Sequence, residues 1–244
     1  MRGFRPRLWP TLITVPAVLL MLGLGTWQVQ RLFWKQDLIA GRQAGLAAPV
    51  TPWPEAEGRL PELSWHRISA EGEFLNEREL VLAARSMNGN PGYHIVTPFQ
   101  IAGGPVLIVD RGWVPLDRKE PQGRSQGQIA GRTTVTGILR PGHQPSWLTP
   151  DNEPDKNFWF WMDLPAMARA AGADGGAVTE AYLEADATPN PGGFPIGGQT
   201  RTELPNDHLQ YAITWYALAL ALAVIYIVYH RTPAAPVNRP EASR

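Results

Sequence analysis

The sequence predicts a membrane α+β protein: two transmembrane helices that flank an extracytoplasmic, antiparallel β domain, shaped as a small barrel or sandwich with one or two short helices. Uncharged apolar stretches cover residues 8–30 and 209–229, and each is long enough to cross a bilayer, which takes about 20 residues. Between them, short β-rich segments alternate with Gly/Pro turns, as in small antiparallel domains. The expected organisation is a cytoplasmic tail (1–9), a first transmembrane helix (10–30), the extracytoplasmic domain (31–207), a second transmembrane helix (208–229) and a cytoplasmic tail (230–244).

Basic residues predict the orientation of these helices. Three arginines precede the first apolar stretch and three follow the second: Arg2, Arg5, Arg7, Arg231, Arg239 and Arg244. The positive-inside rule then places both termini in the cytoplasm, or in an organelle matrix, and the central domain outside. A bacterial cell inner membrane, with a periplasmic domain, is favoured because no long Arg/Ser-rich presequence precedes the first stretch.

The first apolar stretch could instead be a cleaved signal peptide. Such a peptide has a shorter apolar core that ends at a small-residue cleavage site. Here the stretch continues into Trp27 and Gln28 and is followed by Arg31. A retained membrane anchor is therefore favoured.

The central domain is predicted to contain five main strands, at residues 66–74, 80–85, 93–100, 106–113 and 133–139, and two weaker ones, at 158–162 and 182–185. One helix is predicted over residues 164–171, with Asp163 as its N-cap and Gly172 as its stop. The Pro-rich segment 46–61 and the Gly/Pro-rich segment 189–199 are predicted to be loose linkers to the membrane. Within the fourth strand, Gly112 predicts a bulge or a close backbone approach, with Trp113 in the core.

Residues typical of catalysis or metal binding are sparse. The chain has no cysteine, which excludes thiolate metal sites and thiol redox chemistry. The histidines of the domain (His66, His94 and His143) lack metal-ligand spacing. A structural contact is the favoured interpretation of the adjacent Asp110 and Arg111, and a solvated loop that of Asp151, Glu153 and Asp155. We therefore predict no enzyme, and no nucleic-acid partner because a basic patch is lacking.

The membrane boundaries carry more chemistry. His208, Tyr211, Ala212 and Trp215 recur at helical spacing at the start of the second helix, and Trp27 and Trp34 flank Arg31 on the first. An imidazole above aromatic rings could ligate the iron of a flat macrocycle such as haem. The alternative is an aromatic belt with a snorkelling arginine, and from the residues alone this alternative is favoured.

Five blocks, in order along nearly the whole chain, resemble the Surfeit-locus-protein-one family of cytochrome oxidase assembly factors. They are Gly25-Thr26-Trp27-Gln28 followed by Arg31, Trp34, Lys35 and Leu38; residues 92–99 (GYHIVTPF); residues 109–115 (VDRGWVP); Trp161-Met162-Asp163 with Met167-Ala168; and residues 206–215 (NDHLQYAITW). The layout with two anchors is also that of the family. Each block alone is weak, but together they are specific.

This resemblance implies assembly of a haem–copper oxidase rather than catalysis. It implies that the chain binds or relays haem a, transiently, for insertion into the large oxidase subunit. The histidine that opens the last helix, here His208, would be the axial iron ligand. Tyr211, Trp215 and Trp27 would line the site, and Arg31 could pair with a haem propionate.

The expected partners are the oxidase large subunit, haem A synthase and the lipid bilayer. A haem-free scaffold that holds the synthase and the nascent subunit together remains the alternative, and the two hypotheses differ in whether the purified protein carries iron porphyrin. In either case we expect the helices to pair as a hairpin, with Trp27 and Arg31 at the depth of His208 and Tyr211.

Overall fold

The computed structural model describes residues 4, 6–142 and 144–231. The predicted tail residues Arg2, Arg5, Arg239 and Arg244, and the domain histidine His143, lie outside the described residues. The chain divides into two compact units. One is helical and contains the chain up to Ala40 and from Leu204 onward, and the other is a sheet domain, Gly41–Glu203.

Four helices and eight strands make up the regular structure of the described residues. The helices are α1 (Leu8–Ala47), α2 (Trp53–Ala56), α3 (Leu164–Ala170) and α4 (His208–His230). The strands are β1 (Thr51–Pro52), β2 (Arg67–Phe74), β3 (Leu80–Met87), β4 (Asn90–Ile101), β5 (Val106–Pro115), β6 (Arg132–Pro141), β7 (Phe158–Trp159) and β8 (Ala181–Ala185).

Helices α1 and α4 are both long and apolar enough to cross a membrane. Their most apolar windows have mean hydropathies of 1.8 and 2.0, and only 6% and 11% of those windows are buried by the rest of the chain. Core helices of soluble proteins are mostly buried, so this exposure fits segments that face lipid. Helix α1 extends well past the predicted span, because residues 31–47 contain no proline and are mostly good helix formers.

The strands form one mixed sheet in the order β1-β2-β6-β8-β5-β4-β3-β7, with an additional pairing between β2 and β4. The hairpin-connected neighbours β3–β4 and β4–β5 are antiparallel as predicted. However, β1–β2, β3–β7 and β5–β8 are parallel, so the prediction of a purely antiparallel barrel or sandwich is corrected to a mixed sheet. These three pairings include short strands whose partners depend on tertiary packing rather than on local turns.

The predicted linker 46–61 is wrong, because this segment packs on the sheet. Trp53, Ala56, Leu60 and Leu63 are all buried, and they form one hydrophobic cluster with Ile68 and other residues of the sheet. Their spacing of three or four residues is helical, but the prolines around them obscured this pattern.

The second predicted linker, 189–199, is also ordered against the domain. Ile196 exchanges two backbone hydrogen bonds with Trp113, at 2.9 and 2.8 Å. Asn190 accepts a hydrogen bond from the Arg111 guanidinium at 3.0 Å. A Gly/Pro-rich composition here permits close backbone contact rather than flexibility.

The prediction for Gly112 and Trp113 is confirmed. Gly112 has a φ of +112°, and a Cβ at this position would lie 1.9 Å from the carbonyl oxygen of Ile196. The β4–β5 register shifts opposite this point, so that Arg111 is an extra residue in β5. Trp113 is 5% exposed. The prediction of α3 is confirmed too, because the Asp163 carboxylate accepts the Ala166 N–H at 3.1 Å and Gly172 follows with a φ of +64°.

Arg111 is fully buried and has a structural role. Its guanidinium donates to the Gly127 carbonyl at 2.6 Å and lies 4.4 Å from the centre of the Phe74 ring. Glu79 is 3.8 Å away and receives two hydrogen bonds from buried Arg124, at 2.9 and 2.6 Å. Burial lowers the pKa of Arg111 to about 10, an effect that Glu79 opposes and Arg124 reinforces. Arg111 therefore remains a cation at neutral pH and anchors the surrounding loops.

Candidate functional site

Helices α1 and α4 pair in antiparallel orientation within the helical unit, so the predicted hairpin is confirmed. Side-chain hydrogen bonds join them along their length: Arg7–Tyr229 at 2.8 Å, Thr11–Tyr226 at 2.7 Å, Thr26–Tyr216 at 3.1 Å and Gln28–His208 at 2.7 Å. Inter-helix hydrogen bonds of this kind are expected to hold helices together in lipid, where the hydrophobic effect between them is weak.

Small residues let the two helices approach closely. Ala212 and Ala219 are each 2% exposed. A Cβ on Gly25 would lie 2.8 Å from the Tyr216 ring, so the aromatic side chain packs directly on the α1 backbone. Helix α4 therefore turns His208, Ala212 and Tyr216 toward α1.

His208 is the first residue of α4 and is half-buried against α1. Its Nδ1 lies 2.7 Å from Oε1 of Gln28. An amide oxygen accepts, so Nδ1 donates in this contact and Nε2 is the ring nitrogen left for another partner. Histidines that bind metals show this arrangement, because a carbonyl or carboxylate partner on one nitrogen fixes the tautomer and orients the ring.

The other predicted site residues lie around this contact without enclosing it. Trp27 and Tyr211 are 50% and 56% exposed, and Trp215 is half-buried. The Arg31 guanidinium stacks over the Trp34 ring, 4.1 Å from its centroid, and not on His208. The structure thus joins His208 to α1, while the aromatic side chains remain open to the surroundings.

Gln28 is the site residue that sequence reasoning missed. It is an amide in the uncharged stretch of residues 8–30, and a polar side chain at membrane depth ordinarily has a partner on a neighbouring helix. That signal was available in the sequence. The partner was not, because 180 residues separate Gln28 from His208.

Asp110 and Glu153, two of the residues of the sheet domain that were considered for chemistry, have structural partners. Asp110 contacts His94 at 2.8 Å and accepts the Gly112 N–H at 3.0 Å, so it does not pair with Arg111. Glu153 pairs with Lys156, which raises the pKa of that lysine through their hydrogen bond. Among the described residues, no group of three or more His, Asp or Glu side chains could hold a metal ion.

The matches to known proteins include residues of both the helical unit and the sheet domain. The sequence profile of the SURF1 family matches residues 15–220, which include Gln28 and His208. The chain belongs to the SURF1 family. It is 35% identical to Surfeit locus protein 1 of Mus musculus over 239 residues, 91% of this chain and 76% of the mouse protein.

Two further relatives agree with this assignment. The SURF1-like protein of Monosiga brevicollis is 34% identical over 92% of this chain and 88% of its own length. Surfeit locus protein 1 of Homo sapiens is 35% identical over 84% of this chain and 72% of its own length. The resemblance seen in the five sequence blocks is therefore confirmed, and the SURF1 match includes both long helices in part and the whole sheet domain.

Proposed function

We propose that this SURF1 family member is an assembly factor for a haem–copper terminal oxidase, and that it binds or relays haem a through His208 for insertion into the large oxidase subunit. Family membership supports the assembly role. The geometry at His208 supports the haem-binding role. In this proposal the protein performs no catalysis: it holds a cofactor and passes it on.

The Gln28–His208 hydrogen bond is the observation that carries the proposal. This contact comes from the other helix and orients the His208 ring at the end of the helix pair. Here Nδ1 is held at 2.7 Å by an amide oxygen of the other helix, and this leaves Nε2 as the ring nitrogen that would bind the iron. Haem iron needs one or two such axial donors, because the porphyrin supplies the other nitrogens.

Two other features fit a flat, apolar macrocycle. The half-exposed rings of Trp27 and Tyr211 offer aromatic surface near the helix pair. Arg31 is a cation with no carboxylate partner among the described residues, and it can reach a propionate in bidentate fashion. His208 would hold the iron, the rings would pack on the macrocycle, and Arg31 would neutralise a propionate.

The proposal includes the position of the protein in the cell. We place both termini in the cytoplasm and the sheet domain in the periplasm of a bacterial inner membrane, following the positive-inside rule. Haem A synthase as donor and the oxidase large subunit as acceptor are the proposed partners. The bilayer is the third, since α1 and α4 are exposed and apolar.

The test is the optical spectrum of the purified full-length chain after co-expression with haem A synthase. The wild-type protein should carry haem a. His208→Ala should lose it, and Gln28→Ala should weaken retention by about 10- to 100-fold, as is typical for the loss of a hydrogen-bond partner of a ligating histidine.

His230→Ala is the matched control. The Nδ1 of His230 is also held by a carbonyl, that of Tyr226 at 2.8 Å, but its ring is 4% exposed and is packed by Phe4, Tyr226 and Tyr229. This variant should keep its haem. Equal haem content in wild type and His208→Ala would overturn the ligand assignment. Wild-type protein without haem that still co-purifies with both partners would favour the haem-free scaffold.

Arg31→Lys separates propionate binding from snorkelling. Lysine keeps the charge but cannot form two parallel hydrogen bonds to a carboxylate. We expect weaker haem retention with unchanged circular dichroism. If Arg31 only reaches the lipid headgroups, arginine and lysine will retain haem equally.

A further inference from the structure

A polar cavity in the sheet domain has no part in the proposed haem site. Its volume is about 260 Å³, and it is lined by residues of β3, β4, β5, β6 and β8 and of the segment 199–201. Pockets for drug-sized ligands are larger, roughly 300–1,000 Å³, so this cavity suits a small ligand. Seven ionisable side chains line it: Arg85, His94, Asp110, Arg140, Tyr182, Glu184 and Arg201.

The two carboxylates of the cavity are satisfied by the protein. Asp110 uses one oxygen for His94 Nδ1 at 2.8 Å and the other for the Gly112 N–H at 3.0 Å. Glu184 accepts from Arg140 at 3.1 and 3.0 Å and from the Tyr182 hydroxyl at 2.8 Å. Burial and the Glu184 charge raise the pKa of Tyr182 above its usual value, so this hydroxyl stays protonated and remains a donor.

The cations of the cavity are not all satisfied. Among the described residues, neither Arg85 nor Arg201 has a carboxylate partner or a side-chain hydrogen bond. Arg140 is paired through Nη1, but its Nε is buried without a hydrogen-bond partner. Three guanidinium groups therefore line a cavity with two carboxylates, and the groups left open are hydrogen-bond donors with positive charge.

The backbone around the cavity is irregular on two of the strands that line it, β3 and β5. The pairing of β3 with β4 shifts between Leu82 and Arg85, and Ala84 has a φ of +55° within that shift. On β5, the bulge at Arg111 and the positive φ of Gly112 lie next to Asp110. Bulges of this kind re-aim side chains, and backbone strain outside glycine concentrates at binding sites.

We propose that this cavity binds a small oxyanion, a carboxylate or a phosphate, through the guanidinium groups of Arg85 and Arg201. Both groups offer paired N–H donors that match the oxygens of such an anion. His94, whose Nδ1 contacts Asp110 at 2.8 Å, also lines the cavity, and its other ring nitrogen is a further polar group for the ligand. The cavity thus recognises an oxyanion, and it does so independently of haem.

Isothermal titration of the purified full-length chain in a zwitterionic buffer tests this proposal. Inorganic phosphate and malate are the probes, with sodium chloride at equal ionic strength as the reference. We expect saturable binding of at least one probe and none of chloride. Phosphate alone would identify a phosphate site, and malate alone a carboxylate site. No saturable heat with either probe would overturn the proposal.

Substitutions of the cavity arginines, with a control that removes the same charge elsewhere, locate the binding. Arg85→Gln and Arg201→Gln should each weaken affinity at least about tenfold, and Arg85→Lys should fall between wild type and Arg85→Gln because it keeps the charge without the paired donors. Arg59→Gln is the control, since Arg59 forms an exposed pair with Glu62 and does not line the cavity. Equal weakening in Arg59→Gln would show general charge attraction and would refute the site. Melting temperatures of the unliganded variants distinguish lost binding from lost folding.

Discussion

The backbone of Gly112 meets the Ile196 carbonyl so closely that the absence of a side chain is a structural requirement. Two effects act together there: a φ of +112° and an oxygen 1.9 Å from the position of any Cβ. The first strains every L side chain, and the second forces the two backbones apart. The contact holds segment 189–199 on β5, next to Asp110 and thus next to the polar cavity.

Comparison of two glycines separates these effects. Gly112→Ala should lower the free energy of unfolding by about 3 kcal/mol or more, because strain and collision add. Gly103→Ala adds the same methyl group at a φ of +71° with nothing within 4 Å, so it should cost only about 1 kcal/mol. Thermal or urea unfolding of the full-length variants measures both, and similar costs would show that the collision at Gly112 is relieved without difficulty.

The ion pair of Glu79 with Arg124 gives a second test at this scale. Their side chains are 6% and 1% exposed. Glu79→Gln keeps the shape but leaves Arg124 and Arg111 without a counter-charge, so we expect a loss of about 3 kcal/mol of stability. The exposed Arg59–Glu62 pair provides the control, since Glu62→Gln should cost at most about 1 kcal/mol. Equal urea midpoints of the two variants would contradict a buried-charge effect.

At the scale of elements, local patterns predicted the five main strands and α3, because alternation, turns and caps are properties of neighbouring residues. The errors arose where distant residues decide the structure. Prolines in segment 46–61 suggested a linker, although Trp53 and Leu60 have partners in the sheet. The parallel pairing of β5 with β8 likewise joins residues more than 70 positions apart, beyond the reach of turn chemistry.

In the candidate site too, features set by neighbouring residues could be predicted and features set by distant residues could not. His208, Tyr211 and Trp215 could be found from helical spacing, and the hairpin from the two apolar stretches. The contact of His208 with Gln28 could not be predicted from the sequence, because it depends on the rotation of both helices about their axes. That rotation buries Ala212 and leaves Tyr211 56% exposed, although the sequence pattern placed both on one face.

Disulfide crosslinking tests this rotation in a chain that has no cysteine of its own. The pair Gln28→Cys and His208→Cys should crosslink readily, because these side chains are in contact. The pair Gln28→Cys and Gln210→Cys should crosslink much less, since residues two apart on a helix point to different sides. Gel mobility under oxidising and reducing conditions gives the readout. Faster crosslinking of the Gln210 pair would mean that α4 is rotated away from the observed contact.

For the whole molecule, the antiparallel helix pair constrains the topology. Contacts near the chain ends, such as Arg7 with Tyr229 at 2.8 Å, lie at one end of the pair, and Gln28 with His208 lies at the other. If both helices cross the membrane, the two termini share one side, and the chain between the helices emerges on the opposite side. The basic residues around the first helix then decide which side is cytoplasmic.

Single cysteines report this topology directly. We expect Ser146→Cys, which is exposed in the sheet domain, to react with a membrane-impermeant maleimide in intact spheroplasts. Pro6→Cys, exposed just before α1, should react only after the membrane is permeabilised, because the positive-inside rule predicts that Arg2, Arg5 and Arg7 keep this end in the cytoplasm. Labelling Pro6→Cys after lysis serves as its own reactivity control. If Pro6→Cys reacts in intact spheroplasts and Ser146→Cys does not, the orientation is reversed, and the proposed haem site at Gln28 and His208 would then lie at the cytoplasmic rather than the periplasmic surface.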